Sequence, residues 1–360
     1  TATSQKKSPK HAQSFNAHLT LMTVIGTFLH SLRKTLRSRF IKKRDLKLLQ
    51  QLETILCGNS ISLVDIGAAG GLQDRWKPFS RVVDLVAVEP DPRAKESLEK
   101  LETTSLHSLH RVNLPLASTT RALDFYLCKH PRQSSVLKPN AEHFAKYNDG
   151  HKWDVVKVET MNATTLDSLI VSKLKPDFLK LDTQGSELDI LKGSMKTLQS
   201  CLGLETEVEF REMYESQPLF GDLSKFLQGT GFEFIDFVAF GKWERSRTDG
   251  LRTFLGELIH ADALFMRSPE SAVTIAKKLE DKTLILRYLG LLYIYARSDM
   301  MRATLTIAAD NELIDKLVFT KLEAIADEID IRLHKYQSRL NVLSSITGWT
   351  NTELRFNVVS

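Results

Sequence analysis

The stretch Val64-Asp65-Ile66-Gly67-Ala68-Ala69-Gly70-Gly71 decides the fold of this chain. The apolar run over 61–66 ends in glycines, where the backbone can approach a ligand because no Cβ intervenes. Outward from it, further apolar runs fall at 85–88, 109–116, 178–181 and 202–210, with helical periodicity at about 91–102, 165–173 and 186–199. Buried strands alternating with helices imply an α/β, Rossmann-like, doubly wound parallel sheet. Two strand-like runs at 232–240 and 258–266 have no crossover helix between them. A hairpin joining them predicts an antiparallel terminal edge strand, and the 241–257 connection then emerges at the carboxyl edge, where ligands bind.

Two acids sharpen the glycine loop. Asp65 lies two residues before the first glycine, and Glu89, in Val86-Ala87-Val88-Glu89-Pro90, closes the second strand. A second-strand acid about 20 residues beyond the loop is placed to meet a ribose diol. An acid at Asp65 would repel a dinucleotide pyrophosphate but suits the cationic amino-acid portion of S-adenosylmethionine. Asp65, Gly67, Ala68, Gly71, Glu89 and Pro90 are therefore the expected cofactor contacts. The bland reading of Asp65 is a turn-capping residue. A nicotinamide site shares the second-strand acid but lacks both Asp65 and the terminal hairpin.

The third motif is Asp177-Phe178-Leu179-Lys180-Leu181-Asp182-Thr183-Gln184-Gly185-Ser186-Glu187-Leu188, followed by Ile190-Leu191-Lys192-Gly193. Lys180, Asp182, Gly185, Glu187, Leu191 and Gly193 resemble, in order, the fourth-strand block of the FkbM-type methyltransferases. The resemblance extends to the serine pair Ser134-Ser135, to Glu207, Glu209, Phe210, Tyr214, Phe226, Leu227, Gly231 and Phe232, and to 261–265. It covers about 60–267. Thr183-Gln184 and the Ala-Ala-Gly-Gly loop depart from the commoner pattern, which bears on the acceptor rather than the fold. The resemblance implies a class I methyltransferase fold, S-adenosylmethionine as donor, and O-methylation of a hydroxyl on a sugar, glycolipid or other secondary metabolite, as in polysaccharide biosynthesis.

A base that removes the hydroxyl proton contributes about 10²–10⁴-fold. Asp182, at the carboxyl end of the fourth strand, is the first candidate, with Glu187 and Glu209 next. Their structural alternatives are a helix cap for Asp182, a first-turn acid for Glu187 and a buried, partnered carboxylate for Glu209. Ser134, Ser135, Trp243, Arg245 and Arg247 are the expected acceptor contacts, the tryptophan as a plate for a sugar face and the arginines, with Arg252, for anionic groups. No spacing demands a metal, so a divalent ion on Asp182 and neighbouring carboxylates is left open. His130, His143, His151 and His260 read as structural.

The chain of 360 residues carries a net charge of +5, unevenly spread. Residues 1–50 hold eleven basic side chains against Asp45 alone, so the remaining 310 sum to −5. Nucleic-acid enzymes spread positive charge over a binding face, and no nucleic-acid partner is expected. The sequence opens at Thr1 rather than Met and is expected to lack its natural N-terminus. Leu32, Leu36 and Phe40 recur at helical spacing among basic residues, which reads as an amphipathic helix docked on protein or lying on an anionic membrane surface. After Pro269 the pattern is helical throughout, with stretches at 272–279, 284–296, 302–309, 313–329 and 333–346. The organisation is thus a basic arm (1–54), an α/β domain (55–270) and an all-helical extension (271–360) suited to core packing or a homo-oligomer interface. Cys57, Cys128 and Cys201 lack paired or metal-binding spacing and read as buried thiols in a reducing cytoplasm, the arm allowing contact with the inner membrane face. A methyltransferase-like scaffold without catalysis is the remaining alternative; it would be expected to lose Asp65, Glu89 or Asp182.

Overall fold

The computed structural model describes residues 46–94, 98, 99, 101, 105–169, 175–246 and 256–347. The N-terminal arm to residue 45, Arg247 and Arg252 lie outside these. A seven-stranded sheet is built from β1 (Ile61–Ile66), β2 (Val83–Val88), β3 (Ser108–Val112), β6 (Phe178–Leu181), β7 (Gly203–Glu209), β8 (Glu233–Trp243) and β9 (Glu257–Met266). Its order is β3-β2-β1-β6-β7-β9-β8. The strands β3, β2, β1, β6 and β7 pair in parallel. The expected hairpin forms, with β9 antiparallel to both β7 and β8. The fold is a Rossmann-like α/β sheet with an antiparallel edge pair, in which β9 lies inside and β8 outside.

The inner strands β1, β2, β6 and β7 are largely buried on both faces, as parallel strands are. Val64, Ile66, Val86, Val88, Leu179, Leu181, Leu204 and Val208 point into one apolar core. A second, two-stranded antiparallel sheet, β4 (Arg121–Cys128) with β5 (Val155–Ala163), was not legible in the sequence, because its strands alternate weakly and β5 is largely exposed. The 186–199 stretch forms two helices, Glu187–Lys192 and Met195–Leu198. Gly193 sits at the break, where a Cβ would lie 2.3 Å from the Ala117 carbonyl oxygen.

Four helices make up the extension: Pro269–Lys278, Thr283–Ile294, Ser298–Asp310 and Lys316–Thr347. The last is continuous where the sequence suggested two, since no glycine or proline interrupts 313–346. Tyr288, Leu291 and Leu292 are buried as core. Arg287 fastens the extension to Asp177 at 2.8 Å, just before β6. Residues 51–360 form one compact unit. Cys128 and Cys201 are buried as expected, but Cys57 is exposed. It follows the 46–56 helix in a left-handed turn (φ 48°) that carries its side chain away from the core. Among the described residues, no helix is long and apolar enough to cross a membrane.

Candidate active site

At the carboxyl edge of β1, β2 and β6 lies a cavity of about 480 Å³, walled by the glycine loop, Glu89–Pro90 and Asp182–Gln184. The strand tips hold its floor together. Gly67 N donates to the Val88 carbonyl and Asp182 N to the Ile66 carbonyl, both at 2.9 Å. Gly67 has φ 87°, and a Cβ there would fall 1.8 Å from the Asp182 carbonyl oxygen. Only glycine lets the tips of β1 and β6 abut in this conformation.

Of the expected cofactor contacts, Gly67, Gly71, Glu89 and Pro90 line the cavity. Ala68 does not; it is buried, and Ala69 and Gly70 take its place on the wall. Asp65 is also off the wall. Strand alternation turns it to the opposite face from Val64 and Ile66, where its carboxylate lies 3.3 Å from the Lys180 ammonium. Burial pushes the Asp65 carboxyl up, while its two neighbours Asp65 and Asp182 hold the Lys180 ammonium in its charged form against burial. Glu89 is buried and accepts from Asp91 N at 2.8 Å. Burial raises it to about 7, against the lowering effect of the Asp91 and Ala69 amides.

Asp182 presents 40 % of its side chain at the wall. Burial pushes its carboxyl up, but Lys180 at 3.5 Å and the Gln184 amide at 3.1 Å more than offset this and hold it low. Gln184 is buried in the left-handed region (φ 59°), a strained conformation for a residue with a Cβ. Its side chain explains the strain. The Gln184 amide nitrogen donates to Asp182 and, at 2.6 Å, to Glu207, while its oxygen accepts from the Tyr214 hydroxyl at 2.8 Å. Trp153 Nε1 donates to that same hydroxyl at 2.9 Å. Glu207 pairs in turn with His260 Nδ1 at 3.0 Å, and His260 is 27 % exposed. Burial and the nearby Asp182 raise Glu207 to about 8. For His260 burial works downward, and the Glu207 bond reverses it to a net rise.

The other expected catalytic carboxylates are set back. Glu187 accepts from Thr183 N at 2.7 Å, Thr183 Oγ1 at 2.9 Å and Gly185 N at 3.3 Å, which closes the turn before its own helix. Glu209 is buried off the wall, and burial raises its carboxyl well above the usual range. Among the expected acceptor contacts, Ser134 reaches the wall, but its hydroxyl donates to Asp91 at 3.0 Å. Ser135 is buried and donates to the Gln184 carbonyl at 2.8 Å. Trp243 packs against Trp153 (ring centroids 4.8 Å) and Tyr147 (5.3 Å), so it is no open plate. Arg245 is engaged by Glu257 at 2.6 Å. Lys180, Gln184 and the Glu207–His260 pair are what sequence reasoning missed. Lys180 stood in a recognised motif without a role, and Glu207 reads beside Glu209 as a carboxylate that needs a function or a buried partner; its pairing with His260 requires the β7–β9 register.

Residues 65–234 match the family described as the methyltransferase FkbM domain. The chain carries an FkbM-type methyltransferase domain. No curated protein matches the chain. Among solved structures it is similar to precorrin-6y C5,15-methyltransferase from Geobacter metallireducens GS-15, at 10% identity over 61% of this chain and 88% of that one, with a TM-score of 0.33. It is also similar to a chain of the fibrillarin/Nop5p complex (13% identity, 59% and 78% covered, TM-score 0.31). A third is M. jannaschii TYW2 in complex with AdoMet (14%, 61% and 74%, TM-score 0.27). The fold assignment rests on the strand order above. An FkbM-type domain is an S-adenosylmethionine-dependent methyltransferase, and the residues present fit that donor. Glu89 sets a carboxylate on the wall, of the kind that can accept from a diol, and the glycine loop leaves the wall beside it free of side chains. Among the described residues, no group of three histidines, cysteines or acids is arranged to hold a metal.

Proposed function

We propose that this FkbM-type enzyme transfers a methyl group to a hydroxyl oxygen of a sugar, glycolipid or related secondary metabolite. One observation carries the reading: a half-exposed carboxylate, Asp182, held ionised at the wall of the cofactor cavity by Lys180 and Gln184. Bound S-adenosylmethionine supplies an electrophilic methyl on a sulfonium. Glu89 and the glycine loop would hold the donor, and the cavity would hold the acceptor oxygen in line with the methyl carbon, a displacement that requires an approach of about 3–3.5 Å. Asp182 would take the hydroxyl proton as the oxygen gains the methyl group, the carbon–sulfur bond breaks and the donor departs as neutral S-adenosylhomocysteine. The proton then sits beside the Glu207–His260 pair, whose imidazole reaches solvent.

The acceptor class rests on Asp182. Trp243 and Arg245 do not line the cavity, so neither an aromatic sugar plate nor an arginine clamp is available there from the described residues. The test incubates the full chain with methyl-labelled donor and hydroxyl-rich glycolipid and polysaccharide fractions, and locates the label by mass spectrometry. Label on oxygen is expected, with Asp182→Asn lowering turnover by about 10²–10⁴-fold and leaving S-adenosylhomocysteine affinity unchanged. Label on nitrogen or carbon, or an unimpaired Asn variant, sinks the reading.

A further inference from the structure

The cavity wall carries three cations among the described residues: Lys77, Arg132 and Lys180. Lys180 is committed to Asp65 and Asp182 at 3.3 and 3.5 Å. Lys77 reaches Asp74 at 2.7 Å, and both are exposed. Arg132 has no ion-pair partner among the described residues. Its guanidinium stands over the glycine loop, 3.7–3.9 Å from where a Cβ of Gly70 would be.

The segment that carries Arg132 is pinned on both sides. It lies in the short Pro131–Gln133 turn that follows β4. On the ribose side, Ser134 Oγ donates to Asp91 and accepts from Cys128 N at 3.1 Å and from Arg93 at 2.9 Å. On the other side, Ser135 Oγ donates to the Gln184 carbonyl, and the Gln133 carbonyl lies 3.0 Å from the Tyr214 hydroxyl. The two serines therefore anchor the turn to the Glu89–Asp91 corner and to the Asp182–Gln184 turn. They leave an uncommitted guanidinium over the gap between those walls.

That gap is where an anion needs help. With the ribose at Glu89 and the transferred methyl at Asp182, the amino-acid half of the donor runs along the loop of β1, the strand between β2 and β6. Its carboxylate would face Glu89, Asp74 and Asp182 on the same wall, all potential negative charges. A guanidinium offers a planar fork that matches a carboxylate. We infer that Arg132, presented over Gly70 by the serine-anchored turn, binds the carboxylate of the methionyl half of the donor and so selects nucleosides that carry an amino acid. This inference rests on the methyl-donor reading.

The test is calorimetry on the full chain with two probes, S-adenosylhomocysteine and 5′-methylthioadenosine, which lacks the amino-acid portion. Arg132→Ala is expected to weaken S-adenosylhomocysteine by roughly 10- to 100-fold, with methylthioadenosine affinity unchanged. Arg132→Lys should recover part of the loss by keeping the charge without the fork. Glu89→Ala should weaken both probes alike. The side chain is exposed, and methylthioadenosine binding doubles as a check that each variant is folded. If Arg132→Ala leaves S-adenosylhomocysteine affinity intact, as it would were the arginine reserved for the acceptor, the inference fails while the donor reading stands. Equal loss of both probes also overturns it. A wild-type chain that binds neither overturns the donor reading and this inference together.

Discussion

On one face of the central sheet Val64, Ile66, Leu179, Leu181, Leu204 and Val208 meet in a single apolar cluster. On the other, the neighbours of these residues are Asp65, Lys180, Glu205 and Glu207, aligned across β1, β6 and β7 and continued by Asp262 on β9. Both faces are covered, yet their energetics differ. The apolar face stabilises in proportion to the area it removes from water. The charged face must match each ion with a partner, because an unpaired buried charge is costly. It does so through Asp65–Lys180, through Glu205 with Arg75 at 2.9 Å and the Tyr295 hydroxyl at 2.7 Å, and through Glu207–His260. Apolar side chains of similar volume would serve stability as well or better. The charged row is better explained by its position, since it ends at Asp182 and the cavity. Through Tyr295 and Arg75 it also ties the helical extension to the site.

The largest expected effect breaks that row. Lys180→Met leaves Asp65 buried without its cation and should cost about 3–5 kcal/mol in urea denaturation. Adding Asp65→Leu should restore most of the loss, and a neutral single variant would show that the row is not held by this pair.

A smaller effect comes from pH. Glu207 is raised to about 8 and Glu89 to about 7, mainly by burial, and His260 is raised by its bond to Glu207 after burial is offset. A group whose folded pKa exceeds its unfolded value stabilises fully below the unfolded value, and that contribution is lost as pH rises through the folded one. Ligand-free stability should therefore fall as pH rises from about 4.5, where the unfolded glutamates titrate, to about 8, most steeply below pH 7 where both glutamates contribute. Thermal unfolding of Glu207→Gln should show a flatter profile; an unchanged slope would place the titration elsewhere.

The smallest effect belongs to the apolar face. Ile66→Val should cost about 0.5–1.5 kcal/mol, with no change in pH profile. A shifted profile would mean that the two faces are coupled through the β1 tip.

The fold was legible because its signals are local. The glycine-ended strand at 61–66, the Glu-Pro end of β2 and the crossover-free pair at 232–266 each report their own geometry, and together they give the fold class and its antiparallel edge. The β4–β5 excursion was not, since exposed Val155, Val156 and Val158 give no burial pattern to read. Sequence placed Glu89, Gly67 and Asp182 at the carboxyl edge, because they follow the ends of strands and must lie there whatever packs around them. It misplaced Asp65, which strand alternation turns to the opposite face, and Ala68, which the turn over 68–70 buries. The Gln184 clamp, the Glu207–His260 pair and the approach of Arg132 to Gly70 join residues up to 62 positions apart. Sequence alone determined which residues could reach the carboxyl edge of the sheet. Only tertiary structure decided which of them face the cavity and which neutralise one another behind it, because charge pairing inside a protein depends on register and on loops packed from elsewhere in the chain.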